Sequence, residues 1–431
     1  MALSRKVDTL VVGAGPVGMV AALTLLRGGK HHVEIIDEAD RRTGLSYALA
    51  LHPEALAVLD GLGLRAAVAA HANRIDRVAL YDGAERRAEL ALTDLDRAYP
   101  YVLALPQSDL EKILLEALAA RGVEVRWRHR LRSLEPGADG TSLCVVDRID
   151  STSSGYAVAR AGGIVGKSFE RRVPFVIGAD GHHSLVRRQL GIERHATGRP
   201  GTVAVFELEQ EPLPAAAPGV DARHELRITF AHGLRTVWWP LPGEHSRLGF
   251  ELPDEVVETT VRHKSRVPAL VPWLDRTLDE SRLRELVAER LPWHSAPSGR
   301  LMWSAAVRFE RAVADTFGRD GVWLAGDAAH LAFPFGVHSM NAGIEEAEDL
   351  ATRCERILDG VDPVASLQIY GRDQRAAWQS RLAGWESGAA SGVAADPWVA
   401  AHAPAIVEAL PLAPADAGKL LAGTAAVAAV R

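Results

Sequence analysis

The chain has 431 residues, of which 48% are hydrophobic and 24% charged, with a formal net charge of −6. These are the proportions of a globular protein; they exclude a disordered chain, and the acidic balance argues against a general nucleic-acid binder. The two cysteines, Cys144 and Cys354, exclude a disulfide framework or a cysteine-rich zinc site and fit a reducing cytoplasm.

Arg5 and Lys6 precede an uncharged run to Leu26 that imitates a membrane span, but Gly13, Gly15, Pro16 and Gly18 interrupt it, so no membrane segment is expected. The run divides into a β-branched strand over Thr9–Val12, a glycine turn and a buried helix over Pro16–Leu26. A second strand follows at Val33–Asp37, completing a βαβ unit that opens a parallel sheet. Helices are expected at Pro53–Leu59 and at Asp109–Ala120, the latter capped by Ser108 or Asp109. Strands are expected at Val123–Trp127, Ser142–Val146 and Phe175–Ile177, with loops over Pro136–Gly155. The spacing of Arg126, Arg128, Arg130 and Arg132 places them on one solvated strand face. From Gly201 to Arg300, strand-like segments alternate with proline-rich joints, as in a mostly antiparallel sheet forming a second domain. Gly321–Leu324 reads as a buried strand, Ala342–Leu358 as a helix, and the chain from Val364 onward as helical and alanine-rich.

Three motifs carry chemistry. Gly13-Ala14-Gly15-Pro16-Val17-Gly18 matches GxGxxG in its required context, a strand before and a helix after. Gly13 makes the tight turn, Gly15 lets the backbone approach a pyrophosphate, and Gly18 lets the helix pack on the strand. Asp37 ends the second strand, where a carboxylate can accept from ribose hydroxyls. This motif does not distinguish NAD from FAD. Gly178-Ala179-Asp180-Gly181 follows a short strand and by itself is a turn. Gly326-Asp327-Ala328-Ala329-His330 follows another buried strand, so Asp327 can accept a sugar or ribityl hydroxyl at the carboxyl edge of the sheet. Phe333-Pro334-Phe335-Gly336 and Met340-Asn341 then lead into a helix whose free N–H groups would face an electron-rich ring.

In this order and at these separations, the motifs resemble those of the class A FAD-dependent monooxygenases, the para-hydroxybenzoate hydroxylase-like aromatic hydroxylases, over about Val7 to Arg375. The resemblance implies an α/β fold: a Rossmann-like, glutathione-reductase-type FAD domain (1–75, 100–195 and 300–365), an inserted mostly antiparallel β-sheet substrate domain (76–99 and 196–299) and a C-terminal helical segment (366–431). It implies tight, non-covalent FAD, with NADPH or NADH as transient co-substrate, and hydroxylation of a small phenolic or polycyclic aromatic by dioxygen through a flavin hydroperoxide, in secondary metabolism or aromatic degradation. Baeyer–Villiger oxygenation, flavin-dependent halogenation and non-catalytic flavin binding are the alternatives. No nucleic acid or membrane partner is implied, and the protein would be a cytoplasmic monomer or homodimer.

By the same resemblance, Gly13 to Gly18, including Ala14, Pro16 and Val17, would meet the FAD pyrophosphate, and Asp37 with Glu38 the adenosine ribose. Gln107 would approach the ribityl chain, and Leu131 would offer backbone to adenine. Asp180 with Gly181 would serve FAD and the nicotinamide cofactor, and Asp327 with Gly326 the ribityl. Gly336 to Asn341, including Met340, would run along the flavin, with Pro334 toward substrate. Two departures stand out. Tyr47 replaces an arginine common in relatives; it would stack, hydrogen-bond or join the core. Gly336-Val337-His338-Ser339-Met340-Asn341 stands where many relatives have GGQGMN, so His338 is either a surface-loop histidine or a group tuning flavin or substrate. Trp238, Trp239 and Phe335 are further candidates for the substrate pocket, with core packing as the other reading of the tryptophans. No catalytic base is identified. Ala161–Ser168 nearly matches a phosphate-binding P-loop but is followed by strand, so a glycine hairpin is expected there. No metal site is expected, since His31-His32 and His182-His183 are adjacent pairs and no HExxH occurs.

Overall fold

The computed structural model describes residues 6–40, 49–150, 164–198, 200–209, 221–253, 278–294, 299–388 and 396–423. Tyr47 and residues 161–163 of the P-loop-like stretch lie outside them; the rest of that stretch, residues 164–168, falls on the strand Ile164–Val173.

A five-stranded sheet has the order Gly318–Arg319, Val322–Leu324, Phe175–Gly178, Thr9–Val12, Val33–Ile36, parallel except at its first pair. Thr9–Val12 is an interior strand, fourth of the five, and is buried, which is why it is a continuous apolar run. The chain leaves it on one side toward Val33–Ile36 and on the other toward Phe175–Gly178. This reversal opens a crevice at the carboxyl ends of the strands. A three-stranded antiparallel sheet, His129–Pro136, Ser142–Asp150 and Ile164–Val173, accompanies it.

The second sheet has seven strands in the order Arg300–Phe309, Gly201–Glu209, His245–Leu252, Leu234–Leu241, Glu225–Ala231, Arg77–Asp82, Glu85–Ala91. All neighbours are antiparallel except Glu225–Ala231 with Arg77–Asp82. Side chains alternate between its faces. Val203, Val205, Val237 and Trp239 belong to the main core, whereas Ala204, Phe206, Trp238, Leu248 and Phe250 form a separate cluster with Leu283, Leu286 and Val287 of the helix Glu280–Arg290. The tail is helical, at Ala365–Ser387, Pro397–Ala409 and Pro414–Ala422.

Several sequence expectations need correction. Val123–Trp127 is not a strand; only Arg126 bridges Ile36, and Arg128 has φ of 58°. The four arginines therefore do not share one strand face, and Arg126, Arg128 and Arg132 pair with Glu34, Asp40 and Asp147. The strand expected at Ser142–Val146 runs on to Asp150, into the stretch expected to hold loops. The helix expected at Asp109 begins at Gln107 with Pro106 at its N-cap, so Ser108 and Asp109 lie in its first turn. The strand Arg300–Phe309 belongs to the seven-stranded sheet rather than to the FAD-domain segment that was to begin at 300. The helix expected at Ala342 begins at His338.

Phe250 is fully buried in the outer cluster, its ring T-shaped against Phe206 at 5.9 Å. Phe250→Ala should destabilise the protein by about 3–5 kcal/mol. Denaturant unfolding would measure this, with FAD affinity unchanged because the cluster lies on the sheet face turned away from the main core.

Candidate functional site

The crevice is built on close backbone contacts. Gly13 has φ of +104°, and a Cβ there would overlap the Ala179 carbonyl and lie 2.8 Å from the Asp180 Cα. A Cβ on Gly18 would overlap the Gly13 carbonyl. Gly15 differs, because a Cβ there would meet nothing within 4 Å. The helix Pro16–Leu25 starts at Gly15 with no side-chain cap. Its first N–H groups thus face the turn where the one unobstructed glycine lies, as a pyrophosphate cradle requires. The residues present fit a dinucleotide.

Val17 is not turned to the crevice alone. A Cβ on Gly326 would stand 3.0 Å from its side chain, and one on Gly343 would stand 2.7 Å from it and 2.9 Å from the Gly326 Cα. Val17 therefore locks the glycine loop to the 326–330 turn and to the long helix His338–Leu358.

Asp37 holds the loop as well as ending the strand. Its Oδ2 accepts from Ala14 N–H at 2.7 Å and its Oδ1 from Ala39 N–H at 2.8 Å; each oxygen retains a second lone pair for a ribose hydroxyl. Glu38 beside it is exposed. Asp180 accepts from Ser184 Oγ at 2.5 Å, Leu185 N–H at 2.6 Å and Val186 N–H at 3.1 Å. Burial nonetheless pushes its carboxyl above the usual range. Gly181 follows with φ of +71°. Burial also raises the Asp327 carboxyl, against the opposing pull of His330, Arg194 and the Ser339 hydroxyl. The carbonyls of Asp327 and Ala328 are fixed by Arg194 Nη1 at 3.1 Å and Arg187 Nη1 at 2.8 Å. Gln107 donates to Glu111 at 2.7 Å. Leu131 is buried, on the strand His129–Pro136.

Glu346, His330, Arg187, Arg194, Ser339 and His52 were not singled out from the sequence for roles here. Glu346 is buried and accepts from Gly326 N–H at 2.9 Å, His330 Nε2 at 2.8 Å and Trp378 Nε1 at 2.7 Å. The His330 ring stacks on Trp378 at 3.8 Å. A signal existed, since Glu346 falls on the same helix face as Gly343, Ala347, Leu350 and Cys354.

The loop from Phe333 to Val337 is held from several sides. Phe333 and Phe335 are buried; a Cβ on Gly249 would lie 3.2 Å from the Phe335 ring, and the Gly201 position is filled in the same way by Phe333. Pro334 between them is half-buried, as is Met340. His52 donates from Nε2 to the Gly336 carbonyl at 2.7 Å and from its backbone N–H to Asn341 Oδ1 at 2.8 Å. Asn341 Nδ2 donates to the carbonyls of Ala50 and Val337 at 2.9 and 2.8 Å. Val337 is left-handed with φ of 54° and ψ of 35°, a conformation costing a non-glycine residue roughly 1–2 kcal/mol. Ser339 Oγ accepts from Ala332 N–H at 3.0 Å.

His338 is not a surface-loop histidine. It is buried in the first turn of the long helix, its Nε2 donates to the Glu408 carbonyl at 3.0 Å, and its ring lies 4.8 Å from Trp385 and 5.5 Å from His52. Burial pushes its imidazole down to about 4, and lowers His52 as well. Trp239 faces the core shared with Phe333 and Phe335. Trp238, read from the sequence as either pocket or core, is core: it is turned to the opposite face because adjacent strand residues alternate. Among the described residues no helix is long and apolar enough to cross a membrane.

Known proteins share this architecture. Residues 6–383 match the family model described as FAD binding domain. A 3-(3-hydroxy-phenyl)propionate/3-hydroxycinnamic acid hydroxylase of Mycobacterium sp. (strain JLS) is 28% identical over 375 residues, covering 85% of this chain and 57% of its own. The chain spans a little over half the length of the curated relatives it matches first. Among solved structures, p-nitrophenol 4-monooxygenase from Pseudomonas putida DLL-E4 has a TM-score of 0.73 at 21% identity, covering 96% of both chains. A ternary complex of aklavinone-11 hydroxylase with FAD and aklavinone has a TM-score of 0.64 at 20% identity, covering 87% of this chain and 67% of that one.

Two outcomes are expected. Gly15→Ala should leave the melting temperature of the FAD-free protein within about 2 °C of wild type yet weaken FAD binding at least about tenfold in a fluorescence titration, whereas Gly18→Ala should destabilise the fold itself. Equal FAD affinity in wild type and Gly15→Ala would remove Gly15 from the cradle. The second concerns pH. The folded His338 takes a proton only near 4, whereas the unfolded side chain takes one near 6.5, so the stability it contributes is complete above that value and is lost as pH falls toward 4. His338→Gln should therefore lose about 2 kcal/mol less than wild type between pH 7 and pH 5, measured by denaturant unfolding at both.

Proposed function

Since the chain belongs to the family of FAD-binding domains, we propose that it is an FAD-dependent monooxygenase that uses NADPH or NADH and dioxygen to hydroxylate a phenolic or polycyclic aromatic substrate. One observation carries the reading: the glycine loop, the Asp180 turn and the Asp327 turn converge at the carboxyl ends of three neighbouring parallel strands, beside an aromatic loop packed on the face of the second sheet.

The first helix turn and Gly15 would hold the pyrophosphate, Asp37 the adenosine ribose, and Asp327 the ribityl chain, with Asp180 between cofactor and nicotinamide. FAD, when bound, supplies hydride-accepting and oxygen-activating chemistry that no side chain provides. The protein's own part is placement and exclusion. Glu346 fixes the Gly326 turn through its N–H. His52 and Asn341 fix the backbone of the loop that would run along the flavin. Phe333 and Phe335, buried against the sheet, keep water from that loop. His338 and His52 are held neutral at ordinary pH, so they hold position without adding charge beside the ring. No second GxGxxG unit is present, so the nicotinamide would bind transiently in the same crevice. Both cysteines are buried free thiols, which suits a reducing cytoplasm.

The test is NADPH and NADH consumption by the FAD-loaded protein against a panel of phenols and polycyclic aromatics, with product masses measured. Aromatic-stimulated consumption and a product heavier by about 16 mass units are expected. An ester or lactone product of that mass indicates Baeyer–Villiger oxygenation instead. The reading is abandoned if no aromatic stimulates consumption.

A further inference from the structure

Directly paired residues of neighbouring strands share a face of the sheet, so side chains run across the seven strands in rows. Val205, Gly249 and Val237 form one row on the face that carries the Phe333–Val337 loop. Both valines belong to the main core, and Phe335 rests on Gly249, where a Cβ would lie 3.2 Å from its ring. The next row of the same face lies two residues along each strand, about 7 Å away. It consists of Trp303, Glu207, Arg247 and Trp239. A charged pair thus stands between two indoles, beside the loop that would run along the flavin.

The two partners differ in what they offer a ligand. Arg247 donates from Nε to Glu207 Oε2 at 3.1 Å and from Nη2 to the same oxygen, and its guanidinium lies 5.0 Å from the Trp303 ring centre. The Arg247 side chain is 4% exposed and that of Glu207 15%, so the accessible member of the pair is the acid. Both arginine bonds fall on Oε2, and Glu207 Oε1 has no hydrogen-bond partner among the described residues.

Glu251, on the same face but on the other side of the Phe335 row, is saturated by comparison, since Arg235 takes both of its oxygens at 2.8 and 3.0 Å. A carboxylate oxygen only accepts, so Glu207 can take a donor group and nothing else. An anionic group would meet a negative charge whose balancing guanidinium is buried. A neutral hydroxyl would make a charge-assisted hydrogen bond there, the stronger kind.

We propose that Glu207 is a specificity-determining residue of the substrate site, its Oε1 accepting the hydrogen bond of an un-ionised phenolic hydroxyl; the assignment to substrate rests on the hydroxylase reading above. Arg247 is the positioning residue that holds the carboxylate through Oε2. The site then prefers neutral phenols over arenes without a hydroxyl and over arene carboxylates.

The test is calorimetric titration of the FAD-loaded full chain at neutral pH, where a phenol keeps its proton as tyrosine does. The ligands are 2-naphthol, naphthalene, which has the same rings without the hydroxyl, and the anion 2-naphthoate. 2-Naphthol should bind about tenfold more tightly than either of the others. Replacing the pair together, Glu207→Met with Arg247→Met, leaves no stranded charge. That double variant should weaken 2-naphthol about tenfold and leave naphthalene unchanged, whereas a merely structural role would weaken both alike. If it fails to fold, Glu207→Gln keeps an acceptor for Arg247 and removes the charge, and it should tighten 2-naphthoate about tenfold. Absence of 2-naphthol binding, equal binding of 2-naphthol and naphthalene, or tighter binding of 2-naphthoate to the wild type overturns the proposal. So does a preference for 2-naphthol unmoved in the folded double variant, or 2-naphthoate affinity unmoved by Glu207→Gln. Failure of the hydroxylase reading is separate: 2-naphthol would be preferred, but no aromatic would stimulate NADPH or NADH oxidation.

Discussion

Everything in the crevice depends on how closely four segments from distant parts of the chain approach one another as bare backbone. Gly13 lies against Ala179 and Asp180, Gly18 against Gly13, and Gly343 against Gly326 with Val17 wedged between. At these points the spacing is set by the absence of side chains, so a single added methyl group acts on two turns at once. The parallel strands supply the registry that aims these turns at one another, and the glycines supply the room. Asp37 then ties the glycine loop from one side and Val17 from the other. The cofactor cradle is thus a property of the domain's packing.

Two buried carboxylates extend this control to the tail of the chain. Glu346 accepts from three donors, one of them Trp378 on a later helix. Glu408 satisfies Arg235 and Arg311 with its side chain and His338 with its carbonyl. Removing one partner of such a buried network is far more costly than the net worth of the pair, because the remaining charge is stranded. The C-terminal helices are therefore structural supports of the Phe333–His338 loop, although the family match ends at residue 383, within the first of them.

The sequence disclosed the features that depend on local pattern. The first strand, the glycine loop and the strand-end aspartates needed only hydrophobic runs and turn chemistry. It did not disclose which way a side chain faces when two like residues are adjacent: Trp238 and Trp239 are indistinguishable as letters, and pairing register alone sends them to opposite faces. The surface-loop reading of His338 fails for a related reason. A histidine in a glycine-rich motif suggests a loop, but the helix starts four residues earlier than its apolar pattern, and the residues that bury His338 come from helices far along the chain. The Arg126–Arg132 run has strand-like alternation, but the left-handed backbone at Arg128 breaks it.

The strand Leu234–Leu241 carries a further consequence. Arg235 and Trp239 face inward and Trp238 outward because the turn at His232 and Gly233 fixes the pairing with Glu225–Ala231. Inserting or deleting one residue here would turn the guanidinium out to the helix-covered face and bring Trp238 in, exchanging a charged wall for an indole. Substitutions can thus reshape this wall one side chain at a time, whereas a single-residue length change would invert it whole.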